Sequence, residues 1–289
     1  MSSQLESPGA LRLKLHGDGS SWRPFLAVAC KEFRDRLRNR WVLAVAAVLA
    51  VFALLIAYAG GAQSGEVGFR GVGVTIASLA SLAIYLVPLI ALLLGFDAVV
   101  GERERGTLDL LLSMPISRVE LLLGKYCGLA AALSVATIAG FGAALVPLAR
   151  HVDVEGLRQY AAFVGSAVLL GLAFLSLAVL ISVISRERAR ATGGAIAIWF
   201  FFVLVFDLAL LGALVASAGR NASGWAPYAL LLNPADVFRV LNMFGMDAAR
   251  SAYGLETLMA GHWNNPVLLC GVMLLWIVAP LGIALWRFR

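Results

Sequence analysis

Apolar residues dominate this chain in six long runs that are separated by polar or glycine-containing segments. A helix of about 20 residues crosses a hydrocarbon core of about 30 Å, so each run is long enough to span a membrane. The predicted spans are 41–59, 73–96, 126–148, 160–184, 192–218 and 266–286. The pattern therefore predicts an all-α integral membrane protein with one six-span domain over 41–289.

An amphipathic pattern precedes the first span. Apolar residues recur there at intervals of three and four, at Trp22, Leu26, Ala29, Phe33, Leu37 and Trp41. Charged residues, Arg34 among them, fall largely between these positions, which predicts an amphipathic helix over 21–40 in the inner membrane interface. The alternative is an extended cytoplasmic start of the first span. Residues 1–20 are polar and lack periodicity, which favours a disordered cytoplasmic tail.

A charged, then leucine-rich, then proline-broken segment over 97–125 separates the second and third spans. Pro115 disfavours helical geometry at the residue before it, so 97–113 is predicted to form one helix. Ser117 stands three residues before Glu120, which is the spacing of a capping box that opens the next helix. We therefore expect a rigid elbow whose leucines at 108, 111 and 112 pack on the bundle. The residues expected to face water are Glu102, Arg103, Glu104 and Arg105.

The third span carries a small residue at every fourth position. These residues are Gly124, Gly128, Ala132, Ala136, Gly140 and Ala144. Such a stripe lets two helix backbones approach closely in a membrane, although chance produces parts of it in an alanine-rich chain.

Composition and charge define the surroundings of these helices. The chain is 61% hydrophobic and 14% charged, whereas about a quarter of the residues are charged in soluble domains. Of its 23 lysines and arginines, 17 fall in 1–40, 97–125, 185–191 and the C-terminal tip. Cytoplasmic flanks retain positive charge, so both termini are predicted to be cytoplasmic. Attraction to anionic lipid explains the net charge of +6, so we expect membrane lipid rather than nucleic acid as a partner.

The segment 219–265 before the sixth span is predicted to be helical and to lie on or dip into the outer leaflet. Asn233, Pro234 and Asp236 suit a helix start, as the cap, the first turn and the positive end of the helix dipole. Four residues there make two pairs three apart: Met243, Met246, Met259 and His262. Thioether and imidazole ligands suit cuprous copper, but methionine in such helices is more often apolar filling, so no metal site is predicted.

One acid, Asp207, lies deep within the apolar run of the fifth span. A buried intramembrane acid is costly, which makes it a candidate proton or cation site or a partner for a polar group across a dimer. A structural hydrogen bond is the equally good alternative.

No catalytic motif is found in the sequence. It contains no His-Glu-x-x-His or Gly-x-Ser-x-Gly pattern, and its three histidines are widely separated. The pair Gly124-Lys125 does not make a phosphate-binding loop, because Val119 stands where the leading glycine should be. The chain is therefore predicted not to be an enzyme, and any ATP hydrolysis requires a second chain.

The stretch Glu102-Arg-Glu-Arg-Gly-Thr-Leu-Asp-Leu-Leu-Leu-Ser-Met-Pro-Ile-Ser-Arg-Val-Glu-Leu-Leu-Leu-Gly-Lys125 resembles the cytoplasmic elbow of type 2 ABC exporter permeases. The amphipathic helix, the six spans and the large outer segment resemble the same family along nearly the whole chain. The resemblance implies a homodimer in the bacterial inner membrane, driven by two copies of a separate ATPase that binds ATP and magnesium. The residues that it implies in ATPase coupling are Phe33, Arg34, Glu102, Arg103, Glu104, Arg105, Gly106 and Thr107.

Within the family, Asn233-Pro-Ala-Asp-Val-Phe-Arg-Val-Leu-Asn242 resembles the outer segment of permeases that serve the maturation of nitrous oxide reductase. This resemblance implies a periplasmic copper-handling partner, with a copper chaperone, that assembles the copper-sulfur site of the reductase. It implies partner contacts at Asn233, Pro234, Asp236, Phe238, Arg239 and Asn242. The alternative function is export of an apolar small molecule or lipid.

Overall fold

The computed structural model describes residues 22–38, 40–59, 72–149, 153–216, 222–243 and 265–288. All regular elements in these ranges are helices. Five helices are long and apolar enough to cross a membrane, or six if the bent pair Arg23–Leu37 and Val42–Tyr58 is one span. An all-α, multi-pass membrane protein is thus confirmed, whereas the count of six spans stays a prediction. The predicted tail 1–20 and the residues Met246, Met259 and His262 lie outside the described residues.

The helices of the described residues are numbered here in chain order. They are α1 (Trp22–Leu37), α2 (Arg40–Ala59), α3 (Val72–Gly95), α4 (Val100–Glu104), α5 (Thr107–Leu112), α6 (Arg118–Leu148), α7 (Val154–Ile184), α8 (Arg188–Phe200), α9 (Phe206–Ala216), α10 (Ala222–Leu231), α11 (Pro234–Met243) and α12 (Pro266–Arg287). A π-helical stretch, Phe201–Val205, joins α8 to α9.

Helix α7 forms the centre of the bundle, where it packs against α3, α6 and α12. Its large aromatic side chains are fully buried, and the Tyr160 hydroxyl donates a hydrogen bond of 2.7 Å to the carbonyl oxygen of Phe141. Burying a tyrosine requires such a partner for its hydroxyl. The helix formed by α8 and α9 is, by contrast, almost entirely exposed along its apolar length.

Small residues on α6 allow α1 and α2 to approach its backbone closely. A Cβ atom added at Gly128 would lie 2.6 Å from the carbonyl oxygen of Ala29 on α1, and one at Gly140 would lie 2.6 Å from the Cβ of Leu49 on α2. The predicted role of the small-residue stripe is therefore confirmed, with both partner helices in the same chain. Helix α1 bends away from α2 by 61°, which favours a separate amphipathic helix over a simple extension of the first span.

The elbow contains two short helices rather than the single unit predicted over 97–113. Gly106 adopts a φ of 68°, in the left-handed region, and separates α4 from α5. A residue without a Cβ enters this region at little cost, so Gly106 ends one helix and starts the next. The capping box is confirmed: the Ser117 N–H donates to Glu120 Oε2 at 2.8 Å, and the Glu120 N–H donates to Ser117 Oγ at 3.2 Å.

Candidate functional site at the elbow

A nearly buried lysine joins the elbow to the amphipathic helix. The Nζ of Lys125 on α6 lies 3.1 Å from Glu102 Oε1 on α4 and 3.5 Å from Glu32 Oε2 on α1. The Lys125 side chain is 8% exposed, so water screens these charges poorly. The hydroxyl of Thr107 also donates to the Glu102 carboxylate. Three helices that are distant in sequence therefore share one set of charge-assisted hydrogen bonds.

A second set of contacts joins the elbow to the end of α7. The backbone N–H groups of Val99 and Val100 donate to Ser182 Oγ at 2.9 and 3.0 Å. The Arg103 guanidinium donates to the carbonyl oxygens of Val183 and Ser185. The last carbonyls of a helix lack partners within it and carry its negative dipole end, so a guanidinium is a favourable cap there.

Helix α8 is the third attachment point of the elbow. Glu104 Oε1 accepts a hydrogen bond of 2.6 Å from the Arg188 N–H, at the first residue of α8. The carboxylate thus lies at the positive end of the helix dipole. The Arg188 side chain also contacts the elbow, because its Nε lies 2.7 Å from Oδ1 of Asp97.

The expectation that four charged elbow residues face water is wrong for two of them. Glu104 and Arg105 are exposed, but Glu102 and Arg103 are partly buried and bonded within the chain, as is Thr107. The reason is that Glu102 bonds to Lys125 and Arg103 bonds to the carbonyls at the end of α7. These groups take the place of the water molecules that the two side chains would otherwise bind. Of the other candidates, Arg34 and Gly106 are exposed and Phe33 is partly buried.

The elbow also exposes apolar side chains, which the sequence did not lead us to expect. Leu110, Met114 and Val119 are 67%, 53% and 42% exposed, and we call them the apolar elbow face. The leucines at 108, 111 and 112 pack on the core as predicted. The helical spacing of the leucines could have revealed this face, since the side chain at 110 points away from those at 108 and 111.

Helix α11 lies inside the bundle, where four of the residues predicted to contact a periplasmic partner are buried and Arg239 and Asn242 are partly buried. Asn233, Asp236 and Phe238 are fully buried. The Asn233 side chain accepts from the Ala235 N–H at 3.0 Å and donates to the carbonyl oxygen of Phe202 at 2.9 Å. Pro234 is buried as well, and the partly buried side chains of Arg239 and Asn242 bond to Asp207 and Ser166. The predicted helix start at Asn233 is nevertheless confirmed, because α11 begins at Pro234 with Asn233 as its cap.

Asp207 is paired within its own chain. Its Oδ2 lies 2.7 Å from Arg239, whose guanidinium also contacts Asp236 at 2.5 Å. Two carboxylates thus share one cation. Burial raises the pKa of Asp236 to about 7, although the charge of Arg239 acts in the opposite direction. The geometry favours the structural interpretation of Asp207, with α11 rather than a second copy as the partner.

No group of three or more His, Cys, Asp or Glu side chains is placed to hold a metal among the described residues. Of the four methionine and histidine candidates, the described helices include only the backbone of Met243, at the end of α11.

These features define a multi-pass helical membrane protein whose elbow between the second and third predicted spans is bonded to several of its helices. The chain matches the family described as "ABC-2 family transporter protein" over residues 26–289, and it belongs to that family. It is 47% identical over 266 residues to the "Probable ABC transporter permease protein NosY" of Pseudomonas aeruginosa, a match that covers 91% of this chain and 96% of that protein. A protein of the same name from Stutzerimonas stutzeri is 44% identical over the same shares. The resemblance to ABC permeases is thereby confirmed.

Proposed function

We propose that this permease transmits the motion of a separate pair of ATPase subunits across the inner membrane, for assembly of the copper-sulfur site of nitrous oxide reductase. The observation that carries the coupling part is the contact of Lys125 with both Glu102 and Glu32. The reductase part is supported by the NosY name of two relatives that are similar along nearly their whole length.

The apolar elbow face supports a docking role for this segment. Leu110, Met114 and Val119 are exposed, on the side that charge distribution assigns to the cytoplasm. Exposed apolar residues grouped in this way are typical of protein interfaces. The ATPase would meet this face and the exposed charges of Glu104, Arg105 and Arg34, since polar residues commonly surround the apolar centre of a protein interface.

The inward contacts of the elbow supply a route for the motion. A displacement of α4 acts on α6 through Glu102, on α7 through Arg103 and on α8 through Glu104. Packed helices transmit such displacements because they shift between discrete arrangements rather than deform continuously. The elbow and α1 would therefore move as one unit and tilt the spans behind them.

The remaining partners follow from the same proposal. ATP and magnesium would bind to two NosF-like ATPase subunits, since this sequence lacks a phosphate-binding loop. The permease would act as a homodimer with both termini in the cytoplasm. A NosD-like periplasmic protein, supplied by a copper chaperone, would handle the copper, and this chain would hold none.

The test replaces one residue of the apolar elbow face. Leu110→Asp should release the ATPase from the purified permease and abolish copper loading of the reductase in cells, because a charge then occupies an apolar interface. Val154→Asp is the matched control, since Val154 is also a largely exposed apolar residue, at the start of α7, the predicted outer end. Reductase that is fully loaded with copper in the Leu110→Asp strain, despite loss of the ATPase, would overturn the proposal. If the Leu110→Asp permease still binds the ATPase, the apolar elbow face is not part of the interface with the ATPase.

A further inference from the structure

An apolar cavity of about 360 Å3 lies between the bend of α1 and α2, the end of α3 and the middle of α6. Its walls include Val42, Val45, Leu93, Phe96 and Ala136. Arg36 is the charged residue among its described lining residues. A polar solute would find few partners on such walls, so the expected occupant is apolar over most of its length.

The cavity has an identifiable structural cause. Helix α1 touches α6 at Gly128, and α2 touches α6 at Gly140. Because the chain bends by 61° between α1 and α2, the two helices leave a gap opposite the part of α6 between these contacts. Leu133 and Ala136, which line the cavity, lie in that part. The gap is therefore built by the same glycines that fix α1 and α2 on α6.

Positive charge surrounds the bend. Arg34, Arg36, Arg38 and Arg40 follow one another at every second residue, and Arg38 and Arg40 are exposed. The Nε of Arg36 lies 3.0 Å from Oε1 of Glu32, and the Glu32 carboxylate also contacts Lys125. Charge distribution places this bend at the cytoplasmic surface of the membrane. The cavity thus has apolar walls with Arg36 among them, while Arg38 and Arg40 are exposed at the bend beside it.

We propose that this cavity binds an anionic phospholipid of the inner leaflet, with an acyl chain between α2, α3 and α6 and the phosphate beside Arg36 and Arg40. Guanidinium groups bind phosphate through paired hydrogen bonds, and basic pockets on the cytoplasmic side of membrane helices suit anionic headgroups. A second copy of the chain fits the site less well. A two-fold contact centred on this bend would bring the positive charges of Arg36, Arg38 and Arg40 together from both copies.

The experiment measures which lipid remains bound to the permease. The permease, purified with its ATPase, is equilibrated with mixed micelles that contain equal amounts of phosphatidylglycerol and phosphatidylcholine, and the bound lipid is counted by native mass spectrometry. The wild type should retain phosphatidylglycerol in preference to phosphatidylcholine. Arg40→Gln, which leaves the pair of Arg36 with Glu32 intact, should weaken this retention about fivefold, since one arginine near an anionic surface contributes about 1 kcal/mol.

A second variant tests the cavity itself. Leu93 is a half-exposed residue of the cavity wall, so Leu93→Trp should fill the space without disturbing the core and should displace the lipid. The controls are Arg158→Gln and Leu275→Trp, which change an exposed arginine at the predicted outer end and an exposed leucine on α12. Equal retention of both lipids by the wild type, or unchanged retention in both test variants, would overturn the proposal. Dissociation of permease copies by Leu93→Trp, without loss of lipid, would assign the cavity to a second copy instead.

Discussion

The ammonium group of Lys125 lies 3.1 Å from the carboxylate of Glu102, in a pair whose side chains are 8% and 19% exposed. Glu102 lies on α4 and Lys125 on α6, just before the predicted start of the third span, so this pair connects the first short helix of the elbow to a membrane helix. Glu32 of α1 shares the same ammonium group. Lys125 therefore holds two carboxylates that would otherwise repel each other.

Replacing Lys125 should both destabilise the permease and uncouple it. Lys125→Met leaves Glu102 and Glu32 without their shared cation, and removal of one partner from a buried ion pair costs about 3 kcal/mol. The apparent melting temperature in detergent should fall, and ATP hydrolysis by the assembled complex should no longer support copper loading. Both quantities can be compared with those of Lys31→Met, which removes an exposed lysine from α1.

A double variant separates the charge from the packing of Lys125. Glu102→Gln together with Lys125→Met restores charge balance around Glu32 and Arg36, so part of the lost stability should return. Coupling should stay impaired, since the link between the elbow and α6 is still missing. If ATP hydrolysis still supports copper loading in the Lys125→Met variant, the pair of Lys125 and Glu102 does not transmit the motion of the ATPase.

The close contact of α1 with α6 predicts a different result for two glycines of the same helix. At Gly128 a Cβ would lie 2.6 Å from a backbone oxygen, whereas at Gly142 it would meet nothing within 4 Å. Overpacking of this kind costs about 1–3 kcal/mol, so Gly128→Ala should lower the melting temperature. Gly142→Ala should leave the melting temperature unchanged or raise it, because alanine favours helices. Equal effects of the two substitutions would contradict the close approach.

The turn between α4 and α5 makes Gly106 sensitive to side-chain type rather than size. Its φ is 68°, and a Cβ there would meet no neighbouring atom. Gly106→Val should cost about 1–2 kcal/mol because a branched residue is strained in the left-handed region, and it should weaken co-purification of the ATPase by misaligning α5. Gly106→Asn should behave nearly as the wild type, since asparagine tolerates this conformation. Similar loss in both variants would indicate a direct contact of Gly106 with the ATPase.

The elements of this fold could largely be predicted from sequence because they depend on local physics. Long apolar runs, the capping box of Ser117 and Glu120 and the helix break at Pro115 each depend on residues close together in the sequence. The direction in which Glu102 and Arg103 point could not be predicted in this way. Their partners, Lys125 and the end of α7, lie far along the chain, and a charge run is compatible with water or with buried partners alike.

The burial of α11 was missed for a related reason. An amphipathic helix can lie on a membrane surface or inside a helix bundle with the same spacing of apolar residues. What decides the matter is the pairing of its polar face, and Asp207 and Ser166 supply partners from α9 and α7. The sequence does not show which residues pair with Asp207 and Ser166. Only the three-dimensional arrangement shows that Asp207 pairs with Arg239 and Ser166 with Asn242.

Asp236 should make the stability of the protein depend on pH. An exposed aspartate titrates near pH 3.9, whereas burial raises the pKa of Asp236 to about 7. Between these values the native state holds a proton that the unfolded state has lost, so stability should fall as the pH rises toward about 7 and level off above it. Melting temperatures of wild type and Asp236→Asn across pH 5 to 8 test this, and the variant should show the flatter profile. Asp109→Asn on the exposed elbow is the control for the loss of one carboxyl group.

The cluster of Asp207, Asp236 and Arg239 should respond asymmetrically to substitution. Asp207→Asn leaves Arg239 paired with Asp236 at 2.5 Å, so the fold and the maturation activity should both survive. Arg239→Gln leaves two neighbouring carboxylates without a cation, and an uncompensated buried charge costs about 3 kcal/mol or more. Expression level, melting temperature and reductase copper content measured on both variants would test this. If Asp207→Asn folds normally but abolishes copper loading, Asp207 has the functional role in proton or cation binding that its pairing with Arg239 argues against.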